Sequence, residues 1–399
     1  MIFAVQYLED SPYVQRITPD EGRERLRDAL ARLPISMLVL GWNVPDPLLD
    51  VCAEEAAQAG AQVLRWHLLL SGDGAFVPRP EWQVMGLDGE PVPGYMDMPE
   101  FTFVCPNRPA AREAVLAHLH EAIHDGLYEG VFLDRMRYPS PAEAPDRFLG
   151  CFCEDCRRLA ADSGLDLEEA RHRIQTLLET PEGARAYVRV LLDPLASTAH
   201  DANLAHLRAF LDFRRKSVTR FIRQACDVIR DEGLMVGLDC FSPALTYLVG
   251  QDLKTLTPHS DWIKVMTYGH TFAPAGIPFE LLGLADWLLE RGFSDGAALE
   301  ILAHGVRLPL PSTRSGLHER GLAPEALAAE VNRALDVVNC KLLAGIELVD
   351  HEVTRLDPEQ IAADLQAFHA AGADGLVLSW DLWHIPTDWL DLVGSRFMD

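Results

Sequence analysis

Eight short apolar runs alternating with helical stretches predict an α/β chain closed as a (β/α)8 barrel. Two further observations narrow the choice. Several of the runs end in a carboxylate or an aromatic residue, and no glycine-rich phosphate loop follows the first run. The missing loop sets a doubly wound open sheet behind the barrel. The organising stretch is Gly130-Val-Phe-Leu-Asp-Arg-Met-Arg-Tyr-Pro139, apolar through Leu133, then charged at Asp134, Arg135 and Arg137. A carboxylate at the carboxyl end of an apolar strand is where parallel α/β folds keep their chemistry, although such an Asp also serves as a cap or ion-pair partner.

The elements follow in order. Residues 2–7 are the first strand, and Thr18-Pro-Asp-Glu opens a helix to Arg32, with cap, Pro and acids where the helix dipole favours them. Residues 36–43 are the second strand, ending at Trp42 and Asn43, and a helix runs from Asp46 to Gly60. The third strand, residues 62–70, carries Arg65 and His67 in its middle, so these either line a site or alternate around it. Residues 72–108 read as a long functional loop. A helix from Arg112 to Asp125 leads to the fourth strand, and residues 165–232 are strongly helical. Strands five and six end at Asp239 and at Tyr268 and His270; helices 279–291 and 324–338 then flank the Pro-rich loop at 308–311. The seventh strand, 341–350, carries Glu347, and the eighth, from Gly375, carries Trp380, Asp381 and Trp383, with helix 358–371 between them. Leu299-Glu-Ile-Leu is ambiguous between strand and helix. Residues 1–399 read as one barrel domain, with 151–232 as a helical insertion or elongated crossover inside it. There is no internal repeat or low-complexity tract.

The bulk numbers exclude several classes. A hydrophobic content of 48% and a charged content of 24% describe a globular chain. The formal net charge of −25 argues against a nucleic-acid partner, which needs a basic face. No apolar run approaches the roughly 20 residues of a membrane span, and the amino terminus lacks a basic, apolar leader. The eight cysteines then read as thiols or metal ligands rather than a disulfide framework, and the expected location is the cytoplasm.

In a barrel the carboxyl ends of the strands meet at one mouth, which gathers Asp134, Asp239, Glu347 and Asp381 with Trp42, Trp66, Tyr268, Trp380 and Trp383. Acids and flat apolar faces around one cavity suit a carbohydrate: sugar rings stack on aromatics, and a carboxyl pair cleaves the glycosidic bond. Asp134 and Glu347, nearly opposite around the ring, are the expected pair, with Asp134 ionised and Glu347 the proton donor; Asp239 and Asp381 are the reserves. Arg65, His67, Arg137, Lys264 and His270 are expected to hold sugar hydroxyls or an anionic group, with Trp42, Tyr268, Trp380 and Trp383 as platforms. No organic cofactor is implied. Cys105 with Cys151-x-Cys153-x-x-Cys156 has the close spacing of a structural zinc site, closed to catalysis because four sulfurs leave no open position. Reduced thiols without metal are the alternative.

Two stretches, Phe103-Val-Cys-Pro-Asn-Arg-Pro and Gly130 to Pro139, resemble glycoside-hydrolase-like TIM-barrel proteins of bacteria. Val265-Met-Thr-Tyr and Leu378-Ser-Trp-Asp are similar to the sixth- and eighth-strand motifs of chitinase-type barrels. The fourth strand lacks the Asp-x-x-Asp-x-Asp-x-Glu run, so substrate-assisted chitin hydrolysis is not implied. It also lacks the Asn-Glu pair of the large retaining clan, so Asp134 fills that place by position only. The cysteine pattern around the fourth strand resembles that of zinc-bearing bacterial β-galactosidases. The resemblance implies a glycosidase on an oligo- or polysaccharide. A carbohydrate-binding barrel without catalysis is the alternative, a metal-dependent lyase a weaker third, and the oligomeric state is left open.

Overall fold

The computed structural model describes residues 1–9, 11–124, 126–195 and 202–397. Eight parallel strands close a barrel in chain order: β1 (Ile2–Tyr7), β2 (Met37–Leu40), β3 (Gln62–Leu68), β4 (Gly130–Asp134), β5 (Met235–Phe241), β6 (Trp262–Met266), β7 (Lys341–Glu347) and β8 (Gly375–Ser379). The strands are continuous apolar runs because both of their faces are buried. One set of residues packs outward against the helices; the alternate set fills the bore with Ala4, Val39, Leu64, Trp66, Phe132, Trp262, Leu343 and Val377. Phe132 and Trp262 stack in parallel at 4.9 Å across the bore. Beside them Gly237 leaves room for the Trp262 ring, since a Cβ there meets it at 2.3 Å.

The helix starts lie where capping chemistry places them. Thr18 and Glu21 form a capping box on helix Pro19–Arg32, and Asp357 and Gln360 form another on helix Pro358–Ala371. Among the described residues the helical stretch after β4 is four helices, Glu154–Ala161, Leu167–Leu177, Pro181–Leu192 and Ala202–Asp231. The last packs on helix Pro109–Ile123 and on β5. That earlier helix starts three residues before the expected Arg112 because Pro109 supplies its first turn, while Asp125, its expected end, lies outside the described residues. The ambiguous Leu299 segment is helix, Asp295–Val306, and helix Arg314–Arg320 follows the Pro-rich loop. The long loop after β3 is built rather than structureless. Its ends bridge Ser71 to Phe103 and Gln83 to Val104, and the Cys105 amide donates to Trp82 O at 2.8 Å.

Candidate active site at the barrel mouth

Strand register decides which acids meet. β4 and β5 pair Leu133 with Leu238, so the next residues, Asp134 and Asp239, stand side by side on the inward face. Neighbouring strands lie about 4.8 Å apart, which sets the scale of their separation. Both line a cavity of about 300 Å³ at the strand ends, with Trp66, Tyr268 and Trp380 among its walls. That volume lies at the lower end of the usual ligand-pocket range.

The two carboxyls are held differently. Asp134 accepts the Trp66 Nε1–H at 3.2 Å and the short backbone N–H of Arg135. Arg135 adopts a left-handed conformation, φ 48°, an uncommon state for a side-chain-bearing residue. It turns the chain so that Asp134 and Arg135 both reach the cavity, and costs about 1–3 kcal/mol that surrounding contacts offset. Among them, the Arg135 guanidinium donates to Glu100 O at 2.6 Å and lies 4.1 Å from the Phe101 ring centre. Asp239 is 2% exposed. Its Oδ2 accepts from Lys264 Nζ at 3.0 Å, and Lys264 also donates to Gln6 Oε1 at 3.1 Å. The other oxygen, Oδ1, is buried with no partner among the described residues. Burial, with the neighbouring Asp134 charge adding and Lys264 opposing, raises the Asp239 pKa to about 7.

Glu347 behaves otherwise. It occupies an inward strand position, but its carboxyl lies beneath the loop after β6, where Oε1 accepts the His270 amide at 2.6 Å. It does not line the cavity. The His270 imidazole turns outward, bonding Asp364 Oδ2 at 2.9 Å and Arg320 O at 3.0 Å. Burial raises Glu347 to about 7, with His270 opposing. Of the Asp134–Glu347 pair expected across the mouth, only Asp134 lines this cavity, because the loop after β6 holds the Glu347 carboxyl at the His270 amide.

Asp381 reaches the cavity wall but is saturated, accepting the amides of Leu8 at 3.0 Å, Glu9 at 2.8 Å and Trp383 at 2.9 Å, and the Tyr13 hydroxyl. Arg65 and His67 lie on the outward face of β3, because Leu64, Trp66 and Leu68 take the inward positions. Trp42 packs edge-on against Trp66 at 5.3 Å inside the bore and is not a cavity wall. Trp383 stacks on Tyr13 and is not itself a cavity wall, whereas Tyr13 and His384 are. Arg137 is a wall residue, its guanidinium between the rings of Phe103 at 4.7 Å and Phe241 at 4.5 Å. Burial lowers its pKa to about 10. Sequence reading missed Gln6, Phe101 and His351. The last sits edge-on to Trp380 at 6.3 Å, and nothing about an isolated His in a loop signals that.

Behind the mouth, Cys105, Cys151, Cys153 and Cys156 bring their sulfurs within 4.8 Å of one another, all buried. Cys105 and Cys156 are 3.4 Å apart. Amide donors face the sulfurs: Met85 N on Cys151 at 3.4 Å, Asn107 N on Cys105 at 3.4 Å and Asn107 Nδ2 on Cys156 at 3.3 Å. Donors of this kind suit thiolates, and the four sulfurs are a donor set that fits a metal ion.

The sequence matches no protein-family model and no curated protein. Solved structures do resemble it. The β-galactosidase of the psychrophilic Marinomonas ef1 aligns with a TM-score of 0.60 at 13% identity, over 100% of this chain and 60% of that one. The β-amylase catalytic domain of Paenibacillus polymyxa aligns at 0.56 and 10% identity, over 99% and 98%. The glycoside hydrolase domain of PgaB (BpsB) from Bordetella bronchiseptica aligns at 0.51 and 14% identity, over 100% and 96%. The chain thus spans about three fifths of the β-galactosidase and nearly all of the other two. What it shares with these glycoside hydrolases is their fold, the closed eight-stranded parallel barrel.

Proposed function

We propose that the protein is a glycoside hydrolase whose carboxyl pair is Asp134 and Asp239, one strand apart at the mouth of the barrel. The observation that carries the reading is the buried Oδ1 of Asp239, without a partner among the described residues, on the strand next to Asp134 in a cavity that both acids line with aromatic rings. Acid-assisted cleavage needs one protonated and one ionised carboxyl. Asp239, raised to about 7, is about half protonated at neutral pH, and the protonated form gives its proton to the leaving glycosidic oxygen as the C–O bond breaks. Asp134, oriented by two N–H donors, attacks the anomeric carbon or takes the proton from an attacking water. A separation of about 5–5.5 Å between the carboxyls makes the enzyme retaining, and about 6.5–9.5 Å inverting. Trp380, the half-buried ring of the three, offers a face on which a sugar ring stacks, while Trp66 and Tyr268 line the cavity only by their edges.

The test is a turnover screen over aryl glycosides and oligosaccharides, followed by Asp134→Asn and Asp239→Asn on any substrate found. Each variant is expected to lose at least about a hundredfold in kcat with the fold intact. Normal turnover in both removes the assignment. The second reading is a carbohydrate-binding barrel without catalysis, favoured by the Lys264–Asp239 contact at 3.0 Å, which is also a structural ion pair. Sugar binding that is unaffected by both Asn variants, with no hydrolysis, supports it.

The thiol cluster belongs to the same reading as a structural zinc site. Cys105, Cys151, Cys153 and Cys156 would hold the ion and tie the loop after β4 to the segment before helix Pro109–Ile123. Purified without chelator, the protein is expected to carry about one zinc at these thiols, lost in Cys153→Ser together with thermal stability.

A further inference from the structure

Outside the barrel, His67 is an anomaly. It is 1% exposed, and neither ring nitrogen has a hydrogen-bond partner among the described residues. Burying an imidazole with both nitrogens unpaired is costly, so the group points to a ligand. Two candidate co-ligands stand against it. Asp73, in the loop after β3, places Oδ2 2.7 Å from Nε2 of His118 on helix Pro109–Ile123. One nitrogen of each histidine and a carboxylate oxygen of Asp73 all lie within 4.8 Å of one another. The second Asp73 oxygen is fixed by the Phe76 amide at 2.6 Å, and the Phe76 ring stacks on His118 at 5.5 Å. Small side-chain rotations bring such donors to metal-bond lengths of about 2.0–2.2 Å. Arg65, two residues back on the same strand face and within hydrogen-bond reach of the Tyr128 hydroxyl at 3.4 Å, opposes a cation, and the Asp73 charge offsets it.

We propose that His67, Asp73 and His118 form a second metal site, separate from the thiol cluster, for a zinc-class divalent cation. Two imidazoles and one carboxylate are the donor set that borderline first-row ions prefer over calcium or magnesium. The side chain of His118 is 19% exposed, which leaves a path for the ion and for water as a further ligand. A bound ion ties β3, the loop after it and helix Pro109–Ile123 together. That loop carries Phe101, a wall of the barrel-mouth cavity, so the site is a brace for that wall.

The test uses the full chain, stripped with chelator, desalted and titrated with Co2+, with bound metal counted by mass spectrometry and followed by absorption. Thiolate ligands give intense near-ultraviolet charge-transfer bands; a His2Asp site adds visible d–d absorption without them. Wild type is expected to bind one equivalent more than the charge-transfer band accounts for. His118→Gln is expected to lose that equivalent and keep the band, and Cys153→Ser to keep the equivalent and lose the band. The wild-type count needs no variant, so it stands even if a substitution impairs folding. A wild-type metal count fully accounted for by the thiolate band, or an unchanged count in His118→Gln, overturns the proposal.

Discussion

At the residue scale, the 3.0 Å contact of Lys264 with the buried Asp239 carboxyl acts on the proton that the proposed mechanism uses. If Asp239 is the proton donor, activity declines as pH rises through about 7, where the buried carboxyl loses its proton. Lys264 pulls that pKa down, so Lys264→Met is expected to move the alkaline limb of the kcat/KM profile upward. A limb that stays in place removes Lys264 from the electrostatics of the site. Glu347 gives a stability prediction whose sign follows from the same physics. Its folded pKa, about 7, lies above the ordinary carboxylate value, so the folded state holds a proton that the unfolded chain has released. Its contribution is favourable at low pH and is lost as pH rises through about 7. His270 and Asp364 face the same group and set the size of the effect. Glu347→Gln keeps an acceptor for the His270 amide, so its Tm relative to wild type is expected to rise from pH 5 to pH 8. A constant difference across that range means Glu347 does not change its proton occupancy on folding.

Among the elements, β5 and the strand ends account for most of the site. Gly237 lets Trp262 lie against the sheet, and an added Cβ overlaps the indole at 2.3 Å. Gly237→Ala is expected to destabilise by about 1–3 kcal/mol, the usual scale of overpacking, read as a fall in the denaturant midpoint. The strands themselves were legible as runs of Val, Ile and Leu, and the capping boxes at Thr18 and Asp357 marked their helices. Side-chain facing within a buried strand was not. Period-two alternation puts Arg65 and His67 outside and Trp66 inside, yet Val63 on the outer face is buried like Leu64, Trp66 and Leu68 on the inner one, so the apolar residues carry no mark of the face. The same lack of contrast hid the helix at Asp295–Val306.

For the whole molecule, closure depends on β1 pairing with β8, Ile2 against Gly375 through Val5 against Leu378. Asp381 reinforces that seam by accepting the amides of Leu8 and Glu9 just beyond β1. Asp381→Ala takes the acceptor from the buried Leu8 amide and is expected to lower stability by about 1–3 kcal/mol, while costing less in kcat than Asp239→Asn. Equal kinetic loss in the two variants moves Asp381 into the chemistry. Among the described residues no helix is long and apolar enough to cross a membrane.

The barrel, its strand order and the four-thiol cluster were written in the sequence, because alternating apolar runs, caps and cysteine spacing act over short chain distances. Which acid stands beside Asp134 was not. Four acids stood at strand ends, and only tertiary structure separated them: the β4–β5 register put Asp239 beside Asp134, the loop after β6 drew Glu347 aside, and the β1 amides saturated Asp381. Each of these choices rests on contacts between residues far apart in the chain. The meeting of His67, Asp73 and His118 on the outer face of the barrel is of the same kind.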